Sequence, residues 1–188
     1  MRGHLFVFSG PSGAGKGTVL KEALPILGNI VYSVSCTTRK PRHDDADGET
    51  YFFMREEDFK EMGLKNMFLE SAEVHGNMYG TRRDIVEAEL EKGIDVLLEI
   101  DVQGAIQVKN KMKEAVLIFI RPSSNEELER RLRSRGTETE EEIRLRIKNA
   151  KKELASADKY DHIIINDSLK DTVSRFIEIV EKYRRESK

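Results

Sequence analysis

Gly10, Gly13, Gly15 and Lys16, in the run GPSGAGKGT, are residue types at a spacing that binds phosphate. Glycine opens backbone conformations closed to other residues, so successive N–H groups can turn inward around an anion. A helix beginning directly after such a loop adds unpaired N–H groups and the positive end of its dipole. Lys16 supplies a mobile charge for the outer phosphates of a nucleoside triphosphate. Gly10 and Gly15-Lys16 fit the pattern G-x-x-x-x-G-K-[ST], but Gly17 follows and the hydroxyl comes one residue later, at Thr18. Thr18 is therefore expected to approach a magnesium ion partly through water. A glycine-rich turn capping an ordinary helix is the alternative, and the lysine and the flanking elements argue against it.

Further groups with chemical use follow along the chain. Glu99 and Asp101 close the apolar run IDVLLEI. Carboxylates at the mouth of a buried strand, beside a phosphate loop, are placed to hold a magnesium–water shell. Arg39 and Arg42 share the stretch TTRKPR, stiffened by Pro41. Guanidinium groups offer paired donors in a rigid fork that matches phosphate. Tyr51 and Tyr79 could each add a phenolic donor. Glu70, with Ser35 and Thr81, suits a nucleobase instead. Guanine presents N1–H beside an exocyclic amine, whereas adenine presents an acceptor at N1. A buried Glu70 facing adenine would be left unpaired, at a cost of about 1–3 kcal/mol. Any one of these residues alone reads better as a surface turn or an ion pair; their combination carries the reading.

The elements that must position these groups are legible in the apolar pattern. Residues 5–8, LFVF, predict a buried strand, and a helix runs from the loop to its expected end at Pro25. Residues 29–36 predict a second strand. After a polar, turn-rich segment come strand character at 51–54, a short helix at 56–61, a strand at 67–74 and a two-glycine turn in HGNMYGT. This region, about residues 35–81, is expected to be a small α+β insertion. Alternation then resumes, with a helix ended by Gly93, a strand at 94–100, a helix at 103–112 and a strand at 116–120. Ser123-x-x-Glu126 and Thr139-x-x-Glu142 are capping-box signatures that begin two more helices. A strand at 162–166 and an amphipathic helix at 168–185 complete the chain. Such alternation implies a mostly parallel sheet covered on both faces, with ligands at the strands' carboxyl ends, where Gly10, Asp101 and Asn166 fall.

Composition narrows the class further. The 188 residues suit one domain, and 32 basic against 34 acidic side chains give a net charge of −2, which excludes a polycation that coats nucleic acid. The single cysteine, Cys36, excludes an internal disulfide and is expected in the core. Histidines 4, 43, 75 and 162 lack metal-ligand spacing. No apolar run has signal-peptide or membrane-span length, so a soluble, cytoplasmic protein without membrane or nucleic-acid partners is expected.

The segments SVSCTTRKPR, GETYFF, FLESAEVHGNMYGT and LLEIDVQG, in this order after GPSGAGKGT, closely resemble the guanylate kinase family. That family belongs to the nucleoside monophosphate kinases, in which the loop ending G-K-G-T is a known variant. RLRSRGTETEEEIRLRI is similar to the family's lid, and IIIND to its adenine-side strand. The resemblance spans essentially the whole chain. It implies an α/β fold of the P-loop NTPase type, a parallel sheet flanked by helices, with a nucleotide-binding insertion and a helical lid. The core would comprise about residues 1–34, 82–122 and 150–188, the insertion 35–81 and the lid 123–149. The implied reaction moves the γ-phosphoryl group of ATP to GMP, and to dGMP, with Mg2+, giving ADP and GDP.

By position, the family's roles fall on particular residues here. Arg39, Arg42, Tyr51 and Tyr79 would bind the GMP phosphate, while Ser35, Glu70, Thr81 and Asp101 would line the guanine side. Gly10, Pro11, Ser12, Gly13, Ala14, Gly15, Lys16, Gly17 and Thr18 would hold the ATP phosphates, with Asn166 on the adenine side. Thr18 and Glu99 would serve the metal; many relatives have Asp where this chain has Glu99. Arg131, Arg135 and Arg146 would reach the transferring phosphoryl group. Glu127–Arg131, Glu129–Arg133 and Glu142–Arg146 also have helical ion-pair spacing, as do Glu126–Arg130 and Glu140–Arg144. Arg130, Arg133 and Arg144 are read as solvated surface. Two alternatives stand beside this reading. A kinase for another nucleoside monophosphate is disfavoured by the guanine-side residues. A non-catalytic phosphoprotein-binding module is disfavoured by the intact loop.

Overall fold

The longest apolar runs pair side by side in a computed structural model that describes residues 1–74, 76–134 and 139–187. Five strands form a parallel sheet in the order β2 (Ile30–Tyr32), β7 (Asp95–Glu99), β1 (Leu5–Ser9), β8 (Val116–Arg121) and β9 (His162–Ile165). β1 is buried along its whole length and β8 along all but its last residue, which is why both read as continuous hydrophobic runs rather than alternating ones. Helices α1 (Lys16–Leu27) and α7 (Leu169–Glu186) cover one face, packing Leu20, Ala23, Phe176 and Val180 with Phe6, Phe8 and Ile118. Helices α3 (Arg83–Glu91) and α4 (Val102–Lys111) supply Val86, Leu90, Ala105 and Val108 to the other face, with Leu5, Val7 and Leu117.

The second sheet is where the structure departs most from the sequence pattern. It has four strands, in the order β4 (Phe52–Phe53), β3 (Cys36–Thr37), β6 (Asn77–Arg82) and β5 (Phe68–Val74). The single strand expected at 29–36 is therefore two strands in two sheets, β2 and β3, with the chain crossing between them at 33–35. The turn expected in HGNMYGT is mostly strand β6. Gly76, at φ 75°, makes the turn. Gly80 is paired within β6, and it is glycine because an added Cβ would lie 3.0 Å from carbons of both Phe59 and Phe68. Phe59 comes from α2 (Glu56–Leu64), which extends beyond its expected end, and its ring stacks on Phe68 at 4.4 Å.

Two helix boundaries also differ. α1 continues through Pro25 to Leu27. Pro25 is exposed and in the last turn, so it forfeits only the bond to the carbonyl of exposed Lys21, while Leu27 is buried beyond it. Ser124, not Ser123, caps α5 (Asn125–Arg133), accepting from the Glu127 N–H at 3.1 Å. The helix register is set by Leu128 and Leu132, which pack with Ala150 of α6 (Glu140–Leu154). The reciprocal Thr139–Glu142 box at the head of α6 forms as its spacing predicts. No helix among the described residues is long and apolar enough to cross a membrane.

The end of the sheet opposite the glycine loop is locked by a buried ion pair. Arg184 of α7 places Nε 2.7 Å from Asp95 Oδ2 and donates to the carbonyls of Leu27 and Gly28 at 2.8 and 2.7 Å. Asp95 is 3% exposed, and its Oδ1 accepts from the His4 N–H at 2.7 Å. Removing the arginine strands a buried carboxylate, so Arg184→Ala is expected to cost about 3–5 kcal/mol in denaturant unfolding. A loss below about 1 kcal/mol would show that the pair behaves as a solvated surface bridge.

Candidate active site

β1 delivers the chain directly into the glycine loop. A Cβ on Gly10 would lie 2.1 Å from the Ile120 carbonyl oxygen, so the β8 backbone passes where a side chain would stand. Gly15 caps α1 at φ 92°, in the left-handed region that favours glycine. The Ala14 N–H donates to the Pro11 carbonyl at 3.0 Å, and Lys16 Nζ folds back to the Gly10 carbonyl at 2.5 Å and the Pro11 carbonyl at 3.4 Å. Asn166, just beyond β9, braces the loop from behind. Its Nδ2 donates to the Ala14 carbonyl at 2.7 Å and its Oδ1 accepts from Thr172 Oγ1 at 3.0 Å. The loop borders a cavity of about 290 Å³ lined by Ser12, Lys16, Gly17, Thr18 and Glu99.

Of the three expected lid arginines, Arg131 is tied to this loop. Its guanidinium donates to the Asn166 carbonyl at 2.8 Å and to Glu127 Oε1 at 2.6 Å. Glu127 also accepts from Arg130, and the two guanidinium groups hold its carboxyl down at about 2. Arg146 is half-buried on α6, and Arg135 lies outside the described residues. Glu153, near the end of α6, is a neighbour that the sequence did not single out. Burial pushes its carboxyl up, Lys16 opposes that shift, and Asp101 adds to it.

A second cavity, of about 330 Å³, is lined by Ser35, Tyr51, Glu70, Tyr79, Glu99 and Asp101. Glu70, 5% exposed on β5, accepts from Thr81 Oγ1 of β6 at 2.7 Å. Burial pushes its carboxyl above the ordinary range, the Thr81 hydrogen bond pulls the other way, and the Asp101 charge raises it further. A Cβ on Gly104 would lie 2.8 Å from Glu70 Oε2, so the carboxylate occupies space that a larger residue in α4 would close. Asp101 caps α4, accepting from the Gly104 N–H at 2.8 Å. The Gln107 amide clamps Ser71 through both backbone groups, at 3.2 and 3.0 Å, and Lys111 donates to the Phe68 carbonyl at 3.0 Å. α4 thereby fixes the strand carrying Glu70 against the core.

At the rim of this cavity the structure brings Arg39, Tyr51 and Tyr79 together. The Arg39 guanidinium lies 5.3 Å from the Tyr51 ring centre, and the two tyrosine rings meet edge-on at 5.8 Å. Asp45 holds Arg39 through both carboxylate oxygens, at 2.8 and 3.1 Å, and accepts from the Arg42 N–H at 2.6 Å. The Arg42 side chain itself is exposed on the same loop. Asp45 escaped the sequence reading because HDDAD resembles a solvated acidic turn; an Asp three residues after Arg42 in a Pro- and Gly-flanked loop was its only signal. Gln107 and Tyr32 were missed as well. Tyr32 donates to Glu99 Oε2 at 3.3 Å.

Among the described residues, no cluster of three or more histidine, cysteine or carboxylate side chains could enclose a metal ion. Thr18 and Glu99 nevertheless line the same cavity. A single carboxylate and a hydroxyl beside nucleotide phosphates are the sparse, hard-oxygen environment that suits magnesium with most of its water retained.

A parallel sheet that ends in a glycine loop and helix, with a lysine folded over that loop, defines a P-loop nucleotide-binding protein. The guanylate kinase family model matches residues 2–183. A guanylate kinase of Thermotoga maritima is 47% identical over 98% of this chain and 89% of its own length. One of Fusobacterium nucleatum is 51% identical over 95% of this chain and 96% of its own. The crystal structure of guanylate kinase from Anaplasma phagocytophilum superposes with a TM-score of 0.78 at 35% identity, covering 97% of this chain and 86% of that one. The chain belongs to the guanylate kinase family and is a nucleotide-binding kinase.

Proposed function

We propose that this protein transfers the γ-phosphoryl group of ATP to GMP, and to dGMP, releasing ADP and GDP. The observation that carries this reading is the buried Glu70 carboxylate, held by Thr81, in a cavity that shares Glu99 with the cavity of the phosphate loop. Glu70 would accept from guanine N1–H and the exocyclic amine, with Ser35, Thr81 and Asp101 completing that side. Arg39, Arg42, Tyr51 and Tyr79 would hold the GMP phosphate. The backbone from Gly10 through Thr18 and the Lys16 ammonium would hold the ATP phosphates, with Asn166 bracing the loop toward the adenine side. Arg131, Arg135 and Arg146 would meet the transferring group. Thr18 and Glu99 would hold magnesium, partly through water, and magnesium when bound neutralises charge on the phosphates.

Such a site needs little covalent chemistry. It must bring two anionic phosphates into line, offset their charge and keep water out. In this reading the core spans about residues 1–34, 82–122 and 150–188, the GMP-binding insertion 35–81 and the lid 123–149, and the enzyme acts in the cytoplasm on small molecules. A coupled assay of ADP release with Mg-ATP and each nucleoside monophosphate tests the proposal. GMP and dGMP should turn over well above AMP, CMP, UMP and dTMP. A different preferred acceptor would discard the guanine assignments. A folded protein that binds GMP without turnover would point to a binding module.

A further inference from the structure

Among the described residues, Glu99 alone lines both the phosphate-loop cavity and the guanine-side cavity. It ends β7, half-buried, on a long side chain that would sample many rotamers if nothing fixed it. The neighbouring strand supplies the constraint. In the parallel pair, Tyr32 of β2 stands beside Leu97, and Glu99 lies two residues further on the same face of the sheet. From there the Tyr32 hydroxyl donates to Glu99 Oε2 at 3.3 Å. Tyr32 is 43% exposed and belongs to none of the hydrophobic core clusters, so core packing does not account for a tyrosine at this point.

We propose that Tyr32 is a positioning residue that pins one oxygen of Glu99, so that the carboxylate faces the divalent cation and its water shell between the two nucleotides. This rests on the function proposed above. The phenol has few torsions, so it orders the more flexible glutamate at small entropic cost. The hydroxyl engages only Oε2, so the other carboxylate oxygen is left to the cavities that Glu99 lines.

Tyr32→Phe removes the hydroxyl and keeps the ring. The test is Mn2+ titration of the ADP complex, followed by electron paramagnetic resonance, which reads cation binding without turnover. Tyr32→Phe should bind Mn2+ about tenfold more weakly than the unmodified protein, as expected for losing one hydrogen bond to a charged group. The KM for GMP should stay within about twofold and kcat should fall in step with the weaker cation binding. In a Glu99→Ala background the same substitution should have no further effect. Equal Mn2+ affinity with and without the hydroxyl would overturn the proposal. An additive loss in the Glu99→Ala background would overturn it too, because the hydroxyl would then act elsewhere. Weaker GMP binding with unchanged Mn2+ affinity would assign the pair to the acceptor and likewise overturn it. Failure of the underlying function is separately visible, as an unmodified protein that does not phosphorylate GMP.

Discussion

Lys16→Ala is expected to lower turnover by about 10²- to 10³-fold, the usual consequence of removing one preorganised electrostatic donor, while the protein stays folded. The contacts of Lys16 explain the separation. Its described hydrogen bonds run to the Gly10 and Pro11 carbonyls, inside the loop that it serves. The loop's own shape rests on other supports, namely the left-handed Gly15, the Ala14–Pro11 turn and the Asn166 bond to the Ala14 carbonyl. Losing the ammonium therefore removes charge from the anion site without taking a side chain from either core cluster. Steady-state kinetics with Mg-ATP varied, beside thermal unfolding, would check this. An unchanged melting temperature with turnover reduced less than about tenfold would remove Lys16 from the role proposed for it.

The loop was legible in the sequence because its residues serve it locally. Glycine conformation, the helix start and the lysine all fall within one short run, and the buried strands β1, β7 and β8 announce themselves by composition alone. What depended on distant partners was not legible. Gly80 looked like a turn residue, since the rings that exclude its side chain, Phe59 and Phe68, come from other elements. Residues 29–36 looked like one strand because β-branched composition does not say which sheet a residue joins. In the site, Arg39, Tyr51 and Tyr79 were found and do meet, but Asp45, which holds Arg39, was hidden in an acidic run. Asn166 was expected on the adenine side, and its amide is engaged with Ala14 and Thr172 at the back of the loop. Helical spacing anticipated Glu127–Arg131 and Glu129–Arg133. It missed that Arg130 also takes Glu127 and that Arg133 also pairs with Glu140, because surface side chains choose among several partners of similar energy.

Glu70→Gln is expected to reduce kcat/KM for GMP by about 10²-fold, the loss of charge-assisted hydrogen bonds, and to narrow discrimination against AMP by a similar factor. Glutamine still offers one acceptor oxygen, but its NH₂ group meets guanine donors with a donor, leaving an N–H pair opposed in a buried site. The Thr81 hydroxyl can rotate to serve either side chain, so the strand pairing between β5 and β6 should survive. The pH dependence has a definite sign. Burial raises the Glu70 carboxyl above its ordinary 4.5, and the ionised form is the one that accepts from guanine. The KM for GMP should therefore rise as pH falls through that raised value, and Glu70→Gln should abolish this rise. Stability runs the opposite way. Because the folded state holds the proton more tightly than the unfolded chain, the stabilisation linked to Glu70 is present below about pH 4.5 and is lost as pH rises through the folded value. At neutral pH the buried carboxylate opposes folding, and the glutamine variant should unfold at the same or a higher denaturant concentration. A variant that is less stable at neutral pH yet keeps its preference for GMP would show that Glu70 holds the insertion together and does not read the base.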